Sequence, residues 1–313
     1  MTPLDIFQSD LRPLQYWHVR AQEKVDQWKQ GIAEGHSTGF KTLDSFCRLI
    51  PGELTLVAAR PSQGKTALAM QVCENVARQL QQDGDNGCVA VFSAEMSGWS
   101  LYHRMAGALA GANIHKLRSG KGTPQEYADL EDAMSRLRTV PIWIDDNTGP
   151  TTAQMLEQLS RLNETIPVRM MMFDFVELGG DRAQKEDLRI SAIAHNLKGI
   201  AKTLQIPVMA LSQLNRDVEN RANKMPQLSD LRYSGMLEQL ADVVMFIMRP
   251  EYYVERAQSI DVPQEDKSGV AYVQYAKNRN GPVALAKLAY LKDRIMFGEL
   301  AKDPLGRPTK AVV

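Results

Sequence analysis

Leu54-Thr-Leu-Val-Ala-Ala-Arg-Pro-Ser-Gln-Gly-Lys-Thr66-Ala-Leu-Ala69 runs from an apolar, β-rich stretch through a compact loop into a helix headed by Gly64-Lys65-Thr66. That order of strand, loop and helix is the context a phosphate-binding loop requires. Successive backbone N–H groups and the positive end of a helix dipole cradle phosphate oxygens there. In the pattern G-x-x-x-x-G-K-[ST], Ala59 replaces the first glycine, and a small residue still permits a compact loop. The segment Ala59, Arg60, Pro61, Ser62, Gln63, Gly64, with Lys65, Thr66 and Ala67 at the helix start, is therefore the candidate nucleotide-binding stretch. Lys65 is placed to reach the β and γ phosphates and Thr66 to offer its hydroxyl to Mg²⁺. The expected ligand is a nucleoside triphosphate.

Composition limits what else the chain does. Lys and Arg number 37, as do Asp and Glu, so the formal charge is zero and any polyanion must be held by a local cluster. Cys47, Cys73 and Cys88 lie far apart with no C-x-x-C pair, which fits a reducing cytosol and argues against structural zinc or disulfides. Cys73 reads as core. The five histidines show no ligand spacing. No apolar run approaches the ~18 residues of a membrane span, and the start Met-Thr-Pro-Leu-Asp5 lacks the features of a signal peptide, so the expected location is the cytoplasm.

Residues 1–34 read as a helical extension or linker and residues 35–313 as the main domain. Within the extension, Pro13 suits a first helical turn, and Leu14, Trp17, Ala21, Val25 and Trp28 form one apolar stripe. Packing on the same subunit and docking on a neighbour both accommodate it. Beyond Gly35, β-rich runs alternate with helical stretches. Strands are expected at 54–58, 89–93, 142–144, 169–173, 208–211, 243–247, 270–275 and 286–291. Helices are expected at 66–82, 97–110, 124–138, 152–164, 186–204 and 235–241. Thr123-Pro-Gln-Glu126 is a capping box with Pro at the first helical position. This alternation predicts an α/β fold, a mostly parallel twisted sheet with helices on both faces, which binds ligands at the carboxyl ends of its strands.

Three of those ends carry polar residues: Glu95, Asp174 and Gln213. An Asp closing an apolar strand is the arrangement that holds a Mg²⁺ hydration shell, whereas a helix cap is the simpler role for such a residue. Glu95 is the candidate general base for an attacking water. Gln213 is placed to bond the γ-phosphate and report nucleotide state to the polar stretch 214–224, much of which reads as solvated.

Five motifs occur in order: Ala-Arg-Pro-Ser-Gln-Gly-Lys-Thr66, Phe-Ser-Ala-Glu-Met-Ser97, Ala-Leu-Ser-Gln-Leu-Asn-Arg216, Asp-Leu-Arg-Tyr-Ser-Gly235 with Glu-Gln239, and Lys277-Asn-Arg-Asn-Gly-Pro282. Together they resemble the motor domain of the DnaB family of replicative helicases over residues 36–297. The resemblance implies a RecA-like P-loop ATPase core, ATP and Mg²⁺ as cofactors, and a homo-oligomer assembled as a hexameric ring. It further implies movement 5′ to 3′ on single-stranded DNA and unwinding of forked duplexes. Carried over, Lys65, Thr66, Glu95, Asp174 and Gln213 keep the roles just argued, and Arg104 matches a position near the nucleotide. Arg279 resembles an arginine finger that reaches a neighbour's γ-phosphate, accompanied by Lys277. DNA contact falls on Arg232, Tyr233, Ser234 and Gly235.

The family usually carries an N-terminal collar domain that contacts primase, and with about 34 residues before the motor no primase contact is inferred. Tyr233 stands where the family commonly has an acidic residue; an aromatic there stacks on a base or packs against a neighbour. Arg232 either pairs with a phosphate or makes a local salt bridge with Asp230. Two other functions suit the same fold: a RecA-type or RadA-type strand-exchange ATPase, and a DNA-binding loading or regulatory ATPase that does not unwind.

Overall fold

The computed structural model describes residues 11–221, 223–231, 234–302 and 308–309, and the chain divides at His36/Ser37 into two compact units. The first contains helix α1 (Leu14–Lys29). Pro13 stands just outside it as the N-cap, where its missing N–H costs nothing. Leu14, Trp17 and Trp28, members of the expected stripe, are exposed.

The second unit alternates strands and helices. Its first half runs α2 (Lys41–Asp44), β1 (Leu54–Ala59), α3 (Lys65–Gln82), β2 (Cys88–Ser93), α4 (Gly98–Ala110), α5 (Ile114–Arg118), α6 (Pro124–Leu137) and β3 (Ile142–Asp145). There follow α7 (Thr152–Asn163), β4 (Val168–Asp174), α8 (Glu186–Leu204), β5 (Val208–Gln213), α9 (Ser234–Leu240) and β6 (Val243–Met248). Last come α10 (Pro250–Val254), β7 (Val270–Asn278), β8 (Ala284–Leu291) and β9 (Met296–Gly298). The capping box at Thr123 forms as expected, and a second, Thr151 with Gln154, opens α7.

The nine strands form one sheet in the order β3-β2-β4-β5-β1-β6-β7-β8-β9. The six from β3 to β6 run parallel, and β7, β8 and β9 are added antiparallel. Because side chains alternate across a pleat, near-continuous apolar strands feed both faces. Met170 and Met172 enter one core together with Val57, Val89 and Val91. Met171 and Phe173 enter the other with Leu56, Ala90 and Phe92. Helices α3, α4 and α6 cover the first face, and α7, α8 and α9 cover the second. Cys73 is fully buried in α3, and that burial pushes its thiol up to about 12.

Register sets the site. Ala59 lies beside Gln213 on the neighbouring strand, and Ser93 beside Asp174, so the ends of four strands reach one edge together.

The structure departs from the expected elements in places, beginning with the short helices α2, α5 and α10, which lie outside the expected helical stretches. The stretch after Gln213 is not solvated throughout: Val218 and Lys224 are buried, around a short 3₁₀ turn at Arg216–Asn220. Strand β9, only three residues long, is too short to carry a readable pattern.

Phe173 is fully buried at the end of β4, beneath the site. Truncating it opens a cavity among the close-packed residues of the second core, so Phe173→Ala is expected to cost about 3–5 kcal/mol by denaturant titration. A loss below about 1 kcal/mol would mean this region packs loosely.

Candidate nucleotide-binding site

The loop between β1 and α3 has an unusual backbone. Ser62 and Gly64 both have positive φ, 65° and 94°, turning the chain sharply so that α3 begins at Lys65. At Gly64 a side chain is also excluded by space: a Cβ there would lie 2.8 Å from Phe297 Cζ. Strand β9, which carries Phe297, thus packs against the loop from outside the parallel sheet. The loop opens on a cavity of about 480 Å³ whose wall includes Ala59, Pro61, Ser62, Gly64, Lys65 and Thr66. Ala67 lines it one residue further on.

The strand ends complete the wall with Glu95, Gln213 and Phe175. Asp174 lies behind them, fully buried. Its Oδ2 accepts a 2.7 Å hydrogen bond from Thr66 Oγ1, and Lys65 Nζ stands 3.7 Å from its Oδ1. Oδ1 itself accepts no hydrogen bond. A buried carboxylate oxygen with a cation nearby but no hydrogen bond, next to a hydroxyl, suits a hard cation that prefers oxygen ligands. Among the described residues no group of three His, Cys, Asp or Glu gathers elsewhere. A cation here would have one carboxylate and one hydroxyl from the chain, with the remaining oxygens from ligand and water, a set that suits Mg²⁺. Lys65 also lies 4.4 Å from the centroid of the Phe175 ring. Glu95 is exposed at the cavity rim, with Arg104 across from it on α4.

Several residues were not legible as part of the site. Tyr290 and Ile295 line the cavity from β8 and the turn after it. Arg249, at the end of β6, lies 3.6 Å from the Tyr290 ring centroid and donates to Ser62 O at 3.0 Å. Burial holds the Arg249 guanidinium below its usual range. Glu177, three residues after Asp174, accepts from Ser212 Oγ at 2.7 Å and from the Gln213 backbone N–H at 3.0 Å. It thereby fixes the end of β5. A polar residue close behind the Asp-bearing strand was the available signal for Glu177; the others come from distant sequence and had none.

Not every expected residue faces the cavity. The Gln63 side chain turns inward, where its Oε1 accepts from the Arg249 backbone N–H at 2.6 Å, because that buried N–H has no strand partner to satisfy it. Arg60 lines the cavity, yet its guanidinium is bound to Glu219 and the Leu214 carbonyl. Lys277 and Arg279 lie at the other edge of the sheet, since β7 runs antiparallel to β6. Lys277 Nζ donates to the carbonyls of Glu238 and Gln239 at 2.6 and 3.3 Å, a favourable place for a cation at the end of α9. Burial, with Arg279 beside it, holds the Lys277 ammonium below its usual range. Arg279 Nη1 stands 3.1 Å from Asp242 Oδ1, and its Nη2 donates to Gln239 O at 2.9 Å. Arg232 and Tyr233 lie outside the described residues, as does the side chain of Ser234; Gly235 is exposed in α9.

A parallel sheet with a phosphate loop at its carboxyl edge and an Asp ending the strand two places along from the loop's own defines a RecA-like phosphate-loop domain. The chain belongs to the family described as the DnaB-like helicase C terminal domain, whose model matches residues 35–299. It is 36% identical over 281 residues to the replicative DNA helicase DnaB of Geobacillus stearothermophilus, covering 88% of this chain and 58% of that protein. To the replicative DNA helicase DnaB of Pasteurella multocida it is 40% identical over 275 residues, covering 86% and 56%. The chain thus spans less than two thirds of the length of these relatives. A solved ATPase domain superposes with a TM-score of 0.81 at 29% identity, covering 93% of this chain and 100% of the other. A DnaB-like replicative helicase, solved in a study of its interactions with primase, gives 0.79 at 30% identity, covering 90% and 67%. No described helix is long and apolar enough to cross a membrane.

Proposed function

We propose that this protein is an ATP-driven replicative DNA helicase that works as a hexameric ring, moves 5′ to 3′ on single-stranded DNA and unwinds forked duplexes. The observation that carries the reading is the gathering of Lys65, Thr66, Glu95 and Gln213 around one cavity, with Asp174 buried behind Thr66, in a chain of this family. The loop N–H groups and the start of α3 bind the phosphates of ATP, and Lys65 moves from the Phe175 ring and Asp174 onto the β and γ oxygens. Thr66 and Asp174 would hold Mg²⁺, which neutralises charge developing on the phosphates. Glu95, exposed at the rim and bound to no described partner, orients the attacking water and receives its proton. Gln213, fixed from behind by Glu177, contacts the γ-phosphate, and Arg104 and Tyr290 contact the rest of the nucleotide.

Arg279 cannot serve the cavity of its own chain. It stands at the start of β1, and β1 is six residues long, which places about 20 Å of strand between them. In a ring of copies it acts on the next subunit's γ-phosphate, with Lys277 beside it. The exposed stripe of α1 suits docking onto another copy in the same assembly. DNA is held by Arg232, Tyr233, Ser234 and Gly235 in the channel, through a few placed donors since the chain has no net charge. The residues 1–34 and 35–313 are proposed as linker and motor.

A strand-displacement assay on a forked duplex tests the function. Displacement is expected with ATP from a substrate carrying a 5′ tail, and none with a non-hydrolysable analogue. DNA-stimulated hydrolysis without displacement would favour a loading or regulatory ATPase, and pairing of homologous strands would favour a strand-exchange enzyme.

The two carboxylates are expected to separate by kinetics. Asp174→Asn weakens retention of Mg²⁺-ATP, whereas Glu95→Gln spares affinity and lowers turnover by roughly 10²- to 10⁴-fold. Nucleotide titration beside rate measurement decides between them, and equal loss of affinity in both variants would contradict the division of roles.

A further inference from the structure

Arg60 belongs to the phosphate loop by sequence, yet its side chain is tied to a different segment. Its Nε donates to Glu219 Oε1 at 2.7 Å and its Nη1 to the Leu214 carbonyl at 2.8 Å, with the side chain 9% exposed. Leu214 follows Gln213 and pairs by an isolated bridge with Leu231. Glu219 sits in the 3₁₀ turn Arg216–Asn220, anchored by buried Val218. Its backbone carbonyl accepts from Lys224 Nζ at 2.5 Å. One residue beyond the turn, Arg221 forms a two-pronged pair with Asp230 at 2.9 and 2.6 Å. The Asp230 backbone carbonyl in turn accepts from the Asn215 N–H at 2.8 Å. Two routes therefore leave Arg60, one through Leu214 and one through Glu219, Arg221 and Asp230. Both arrive at Leu231, immediately before Arg232.

These contacts are directional and partly desolvated, so they resist independent movement of the two ends. A two-pronged Arg–carboxylate pair fixes orientation as well as distance, and removing one partner of a buried pair leaves an uncompensated charge. We infer that Glu219 is a positioning residue that couples the phosphate loop to the segment bearing Arg232–Gly235, so that nucleotide at one end and single-stranded DNA at the other alter each other's binding. This rests on the reading that ATP binds the loop and DNA the segment after Leu231. The Arg221 pair also assigns Asp230 a partner other than Arg232, and with Lys224 bound internally both cations serve the strut.

Coupling between two sites is reciprocal and is read as a ratio of affinities. The test uses the full chain with a labelled oligothymidylate, whose affinity is measured with and without a non-hydrolysable ATP analogue, beside basal hydrolysis in the absence of DNA. In the parent, nucleotide is expected to change DNA affinity within the common range of about 5- to 150-fold. In Glu219→Ala the ratio is expected to fall to within about twofold of one, while nucleotide affinity and basal hydrolysis move by less than about threefold. Glu219→Gln, which keeps an acceptor for Arg60 Nε, should fold as the parent does and retain an intermediate ratio. A parent-like ratio in Glu219→Ala overturns the inference, as does loss of both affinities with the ratio intact. Should Glu219→Ala not fold, a parent-like ratio in Glu219→Gln overturns it equally. A parent that binds no oligothymidylate overturns the functional reading itself, and is told apart because the parent fails before any variant is compared.

Discussion

The 2.7 Å hydrogen bond from Thr66 to Asp174 joins the first turn of α3 to the end of β4, two strands away from the strand that feeds the helix. A fully buried carboxylate is tolerated there because a hydroxyl bonds one oxygen and Lys65 stands beside the other. The same arrangement leaves that second oxygen without a hydrogen bond, a donor set that suits a hard cation. Everything else about the cavity follows from holding these two elements in register. Gly64 must turn the loop at positive φ so that Thr66 faces β4. Ser93 and Asp174 must end level for Glu95 to reach the rim, and Ala59 and Gln213 must do the same on the other side.

The sheet presents polar chemistry at both edges. At the carboxyl ends of the parallel strands it holds the cavity. At the opposite edge Asp242, buried at the start of β6, accepts from the Leu54 N–H and meets Lys198 at 2.6 Å as well as Arg279. The carbonyls that end α9 hold Lys277 and Arg279 together. Arg279 is thus held by a carboxylate and a helix end of its own chain, which would lower the ordering cost of the contact with a neighbour that we propose for it. The antiparallel strands β7–β9 serve both edges: β7 delivers Arg279 to one, while β8 and β9 bring Tyr290 and Phe297 against the phosphate loop.

Much of this was legible in the sequence because buried parallel strands are near-continuous apolar runs, and the polar residue that ends such a run stands out. Asp174 after Met-Met-Met-Phe and Gln213 after Met-Ala-Leu-Ser are instances. Helix limits followed from capping residues such as Thr123. What escaped depended on contacts between distant parts of the chain. The 3.6 Å approach of Arg249 to Tyr290 spans two strands and a turn, and no local pattern announces it. Arg60 and Gln63 sit inside the motif, yet their side chains are claimed by Glu219 and by the Arg249 N–H. A motif specifies where the backbone turns, and the fold decides which side chains remain for the ligand. The stretch 214–224 reads as solvated because its charges are many, and only the folded chain shows Glu219 bound to Arg60, Arg221 to Asp230 and Lys224 to the Glu219 carbonyl.

The central claim is that each cavity is completed by Arg279 from another copy, and mixing inactive subunits tests it most directly. Lys65→Ala protein lacks a working loop and Arg279→Ala lacks the finger, whose contribution in related chemistry is ~10³ to 10⁵ in rate. Combined in one ring, some boundaries place an intact loop against an intact finger. ATP hydrolysis should then rise well above that of either variant alone, in rings shown by mass to contain both. Mixed rings no more active than their parts would contradict the account and return Arg279 to a structural role beside Asp242.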